Sequence, residues 1–122
     1  MARDLCGFVG RLLLALLFLA GAAQKARDPA PVMALLDGAG WPEGLVWPAL
    51  AFNAAAGLML IAGLWLTPLA LTLAAYCAVT SWFHFQPDDP WQISIFVKNW
   101  AITGGLLCLA ANGGGRWRLG PR

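Results

Sequence analysis

Four apolar runs of about twenty residues each, bounded by charge, proline or glycine, constrain this chain more than any other feature; they cover about residues 5–23, 45–65, 69–85 and 91–111. A bilayer core about 30 Å thick is crossed by roughly 20 apolar residues in a helix. Within it, only helices and closed barrels satisfy every backbone polar group. Sixty per cent of the 122 residues are hydrophobic and 11% charged, a balance that a water-soluble core of this size could not bury. The chain therefore reads as all-α: an integral membrane four-helix bundle, one unit over residues 1–122, with the lipid bilayer as its first partner. The formal charge of +2 is small and the basic residues gather at span ends, which excludes a nucleic-acid partner.

The first run resembles a secretory signal in its Arg3 and its Gly21-Ala22-Ala23-Gln24 end, but Arg11 interrupts it, so it reads as a retained helix. Four spans place both termini on one side. That side carries Arg3, Arg116, Arg118 and Arg122, whereas the other has Lys25 and Arg27 diluted by Asp28, Asp37, Glu43, Asp88 and Asp89. The excess of arginine predicts cytoplasmic termini. Trp41, Trp47, Trp65, Trp82, Trp91 and Trp117 fall near predicted span ends, as interfacial indoles do, with Trp100 alone inside a span. Pro68 is expected to separate the second and third spans in a tight antiparallel hairpin. In the first outer loop, Pro29 and Pro31 can start a short interfacial helix whose apolar side is Val32, Met33, Leu35 and Leu36, stopped by Asp37-Gly38 and Gly40.

A polar side chain within a span needs a partner, a cavity or a function. Arg11 lies about 9 Å into the first helix, where it can snorkel to the interface or turn inward. Asn53 shares a face with Gly57 among small residues, a surface suited to close helix contact or to a flat ring. Cys77, Thr80, Ser81 and His84 form one stripe along the third span; Thr80 and Ser81 can satisfy themselves on the preceding turn, while His84 can exchange a proton near neutral pH. Lys98 lies about 10 Å along the fourth span beside Asn99 and is expected to turn inward toward Asn53 and His84, with Gly104 and Gly105 permitting close packing beyond it. Cys6, Cys77 and Cys108 have neither disulfide nor metal-ligand spacing, so no metal site is expected; Cys77 is the thiol placed for a redox role.

In order along the chain, Gly10-Arg11 with its leucine run, Gly21 and Lys25, Phe83-His84-Phe85, Lys98-Asn99, Gly104-Gly105 and Gly115-Arg116-Trp117 resemble the DoxX family of small membrane proteins. The resemblance implies a four-helix protein of the bacterial cytoplasmic (inner) membrane, in a family linked to quinone-coupled sulfur oxidation, thiol redox defence and membrane oxidoreductase complexes. Two departures stand out. Asn53 occupies the place where the family pattern often has Glu, with Ala56-Gly57 at its Gly-Gly pair, and Thr67-Pro68 replaces a frequent Thr-Arg. An acid/base role carried by that Glu does not transfer.

The expectation is a membrane subunit of a quinone-linked or thiol-redox oxidoreductase system, holding a quinone-like molecule between its helices through Arg11, Asn53, Trp82, His84, Lys98 and Asn99. No haem or flavin signature and no self-contained catalytic motif is present, so electrons would come from a partner. The alternative is a non-enzymatic scaffold or assembly factor whose Ala/Gly-rich faces pack on other membrane or redox proteins, or on a second copy of the chain.

Overall fold

A computed structural model describes residues 2–120. Its helices are α1 (Ala2–Arg27), α2 (Ala30–Gly38), α3 (Val46–Ala62), α4 (Leu66–Ser81) and α5 (Pro90–Asn112), with 3-10 turns at Glu43–Leu45 and Trp82–His84 and no strand among the described residues. Four segments, Ala2–Arg27, Glu43–Ala62, Leu66–His84 and Pro90–Asn112, are long and apolar enough to cross a membrane. The protein is a multi-pass all-α membrane bundle. α2 is the short helix expected in the first long loop; Leu36 is its buried residue.

α1 packs closely along α3, and α4 along α5. The two pairs meet in a core of Ala15, Phe18, Ala56, Leu60, Leu66, Leu73, Cys77 and Leu106. In lipid such a core is held by van der Waals fit, because the tails outside are as apolar as leucine. Small residues set that fit. A Cβ placed on Gly57 would stand 2.6 Å from Leu19 Cγ and 3.3 Å from the Ala15 carbonyl oxygen, so the α1–α3 approach requires glycine there.

Two expectations about boundaries are corrected. α1 runs several residues past its predicted ends, since charges at either end of a span reach water without breaking the helix. The α3–α4 turn is Gly63-Leu64-Trp65 and not Pro68. Gly63 ends α3 in the left-handed region at φ 75°, its N–H donating to the Met59 carbonyl, and Trp65 follows at φ 51°. Pro68 sits in the first turn of α4, where its missing N–H costs nothing.

The end of the bundle that carries this turn and both termini is locked by a set of bonds that closes the C-terminus of α3. The last four carbonyls of a helix have no partner within it. Here Met59 O accepts from the N–H groups of Gly63 (2.8 Å) and Leu64 (3.0 Å), and Ala62 O accepts from Leu119 N–H at 2.8 Å. Leu60 O and Ile61 O accept from the Arg11 guanidinium at 3.0 and 3.4 Å. All four are satisfied, three by groups distant in sequence. Arg11 also donates to Trp117 O, so one side chain ties α1, α3 and the C-terminal segment, and its positive charge stands at the negative end of the α3 dipole. Gly63 and Gly114 make the room: a Cβ on Gly63 would come 2.5 Å from an Arg11 guanidinium nitrogen, and one on Gly114, at φ 72°, 3.0 Å from Arg11 Cδ.

Candidate functional site

At the opposite end of the bundle, which we call the loop side, the chain places His84, Gln92 and most of its clustered aromatic rings. α4 closes with its hydroxyls turned inward on its own backbone: Ser81 Oγ donates to Ala78 O at 2.6 Å and Thr80 Oγ1 to Cys77 O at 3.3 Å. The stripe predicted there is real, but these two hydroxyls are satisfied on the preceding turn. A 3-10 turn then swings His84 toward α5. With the Gln92 amide oxygen facing the ring, His84 Nδ1–H donates to Gln92 Oε1 at 2.6 Å. In that orientation Nδ1 is committed to Gln92, and Nε2 is the ring nitrogen left to meet another group.

Gln92 is held in turn by the start of α5. Asp89 caps the helix, its carboxylate accepting from Trp91 N–H at 3.0 Å and Gln92 N–H at 3.4 Å, with Pro90 at the first helical position. Aromatic rings cluster on the same turn and on the elements beside it. Trp41, arriving from α2, meets Phe83 edge-on at 5.8 Å between centroids, Phe83 meets Trp82 at 5.3 Å, and Phe85 meets Phe96 at 5.2 Å. His84 itself is half-buried, while Trp82 and Phe85 are exposed.

A second polar cluster lies deeper on the same side. Asn53 of α3 is 4% exposed and its Oδ1 has no hydrogen-bond partner. The Tyr76 side chain interacts with it from α4. From α1, Gly21 leaves the space: a Cβ there would meet Asn53 Nδ2 at 3.0 Å and Lys25 Nζ at 3.7 Å. From the sequence Lys25 marks only membrane orientation and the family resemblance, and Tyr76 and Gln92 carry no expected role. The signal for Gln92 was available, because Gln92 and Asn99 are seven residues apart and so share the face of α5 that looks at the bundle.

The six residues expected to line one site are not brought together. Trp82 and His84 are adjacent at the loop side; Asn53 lies in the neighbouring cluster; Asn99 is half-buried, its carbonyl accepting from Thr103 Oγ1 at 2.8 Å. Arg11 is at the far end of the bundle. Lys98 overturns its expected inward direction: it is exposed, and Nζ lies 5.9 Å from the centroid of the Trp91 ring. The seven-residue spacing puts Trp91 one helix layer toward the loop side on the same face, so the ammonium reaches back toward water over an indole. Gly104 and Gly105 are also corrected: both are exposed, and a Cβ on either would meet nothing within 4 Å. Cys77 is buried in the core, whereas Cys6 and Cys108 are exposed. No group of three or more His, Cys, Asp or Glu side chains placed to hold a metal occurs among the described residues.

Neither curated proteins nor solved structures match the chain. The sequence model of the DoxX family matches residues 7–86, from the first turns of α1 to the turn that carries His84. Lys98, Asn99 and the rest of α5 lie beyond that match. With well over half of its length matched across three of its four spans, the chain belongs to the DoxX family.

Proposed function

We propose that this protein is a membrane subunit of a quinone-linked or thiol-redox oxidoreductase system in a bacterial cytoplasmic membrane, with both termini cytoplasmic, and that it holds a quinone-like ring at its loop-side end. The observation that carries the reading is the His84–Gln92 hydrogen bond on a turn that also carries a cluster of aromatic rings. A flat ring with carbonyl or hydroxyl edges needs a polar partner set among apolar walls. Gln92 orients the imidazole, Trp82 and Phe83 offer faces for stacking, and Nε2 is the atom that meets the ring's oxygen. When bound and reduced, such a ring would supply two electrons and two protons; His84 would take the hydroxyl protons one at a time and pass each to water at this end, and a partner would accept the electrons.

Mass spectrometry of organic extracts from mildly purified protein tests it. A quinone retained by the wild type and by Lys98→Ala, but lost from His84→Ala and reduced in Gln92→Leu, is the expected result. Equal retention in all four, or none in the wild type, overturns the site.

A second reading is supported by a different observation. The Gly104-Gly105 face of α5 is open, next to exposed Trp100 and Leu107, and small residues on an unoccupied membrane face suit contact with a neighbouring helix. On this reading the protein is a scaffold for other membrane or redox proteins. Gly104→Leu should then abolish co-purification of such a protein while leaving the chain folded, and intact co-purification would remove the support.

A further inference from the structure

On the terminal side, α1 and α5 part. The groove between them has a volume of about 850 Å³. Its walls carry no obstruction at Gly10 of α1 or Gly105 of α5, where an added Cβ would meet nothing within 4 Å. Toward the helix ends it is lined by Arg3, Arg11, Arg116 and Arg118, and toward the bilayer interior by Leu14 and Gly105. Among the described residues Asp4 is the one carboxylate on the lining, and it is engaged, accepting from Arg116 N–H at 3.0 Å. Four arginines thus line the groove against a single carboxylate among the described residues. Arg11 is 1% exposed, and its Nε is buried without a hydrogen-bond partner although the rest of its guanidinium is used.

We infer that this groove is a binding site for an anionic phospholipid. The phosphate sits among Arg3, Arg116 and Arg118 above the Arg11 floor, and an acyl chain runs along the Gly10–Gly105 gap past Leu14. The combination selects the ligand class. A basic cluster alone takes any anion, but here it opens at a helix end into an apolar furrow, which matches a charged head joined to a hydrocarbon tail. The site is separate from the loop-side ring site, and neither depends on the other.

Native mass spectrometry of the full chain in mild detergent tests it, with dioleoyl phosphatidylglycerol, dioleoyl phosphatidylcholine and inorganic phosphate as probes. Phosphatidylglycerol should bind at least ten-fold tighter than phosphatidylcholine, and the paired change Arg3→Gln with Arg116→Gln should remove that preference. These two side chains are exposed, and the bond to Asp4 comes from the Arg116 backbone, so the fold is kept. Gly105→Phe, entering open space, should weaken phosphatidylglycerol ten-fold with an unchanged melting temperature. Phosphatidylglycerol should also slow maleimide labelling of Cys6 and Cys108, which line the groove, in the wild type. Equal affinity for the two lipids overturns the proposal, as does indifference to Gly105→Phe. Competition by inorganic phosphate at equal strength assigns the arginines to a free anion and overturns the lipid.

Discussion

Replacing Arg11 by methionine should destabilise the bundle by removing the donor of three long-range hydrogen bonds. Methionine keeps the length and apolar stem but leaves Leu60 O, Ile61 O and Trp117 O without their donor. Hydrogen bonds to charged groups contribute about 1.5–3 kcal/mol each in water-soluble proteins, whereas side-chain bonds in membrane helices average about 0.6 and reach about 1.7 kcal/mol. Three bonds near 1 kcal/mol give a loss of about 3 kcal/mol, roughly two orders of magnitude in the folding constant. Arg11→Lys, with a compact ammonium in place of the planar fork, should lose about half of that. Reversible unfolding by SDS in mixed micelles measures both. The geometry adds a sharper test: Gly63→Ala carries left-handed strain plus clashes with Arg118 Cβ and Cα and with the Arg11 guanidinium, and only the last of these is relieved once Arg11 is methionine. The double variant should therefore cost less than the sum of the two. An Arg11→Met protein within 0.5 kcal/mol of the wild type, or strict additivity with Gly63→Ala, would refute the reasoning.

Three further outcomes follow from the packing. Gly57→Leu should prevent the α1–α3 approach and abolish the folded monomer, whereas Gly104→Ala should match or slightly exceed wild-type stability because alanine favours helix and meets nothing; circular dichroism during heating separates them. Asp89→Ala should cost about 1 kcal/mol by uncapping α5, and should speed amide exchange at Trp91 and Gln92 before any other part of the helix. Lys98→Ala should leave both the fold and any ligand retained at the loop side unchanged, read by melting temperature and by extract composition.

The spans, the short helix in the first loop and the tryptophan positions were legible in the sequence because they depend on local composition and length. Depth was legible as well; direction around the helix was not. Lys98 lies at the depth expected, and the wrong step was to give its ammonium a partner across the bundle when Trp91, seven residues earlier, marked an outward path. Arg11 was ambiguous for a different reason. Its partners are main-chain carbonyls of residues 49 and 50 positions later and the carbonyl of Trp117, and a backbone acceptor leaves no mark in side-chain identity. The glycines divide in the same way: Gly57 faces a helix and Gly104 faces none, yet nothing in their neighbours distinguishes them. His84 was singled out by its chemistry, but its orienting partner Gln92 becomes evident only when the 3-10 turn after α4 sets the ring against α5.

Asn53 offers a test of what a carboxylate at its place would do. It is buried, its Oδ1 is unpaired, and both its amide and the Lys25 ammonium stand within 4 Å of one point over Gly21. A carboxylate at this place would face a cation already present, as well as Tyr76. Asn53→Asp should accordingly fold with a stability within about 1 kcal/mol of the wild type, because the Lys25 ammonium offsets the desolvation of the new charge. In a Lys25→Met background the same change leaves a buried carboxylate without a counter-ion and should cost about 3 kcal/mol or more. The four proteins of this cycle, compared by SDS unfolding, give a coupling between positions 25 and 53 that is large and stabilising. Equal destabilisation by Asn53→Asp with and without Lys25 would mean that the ammonium is turned away to water, and that Asn53 is held only by helix packing.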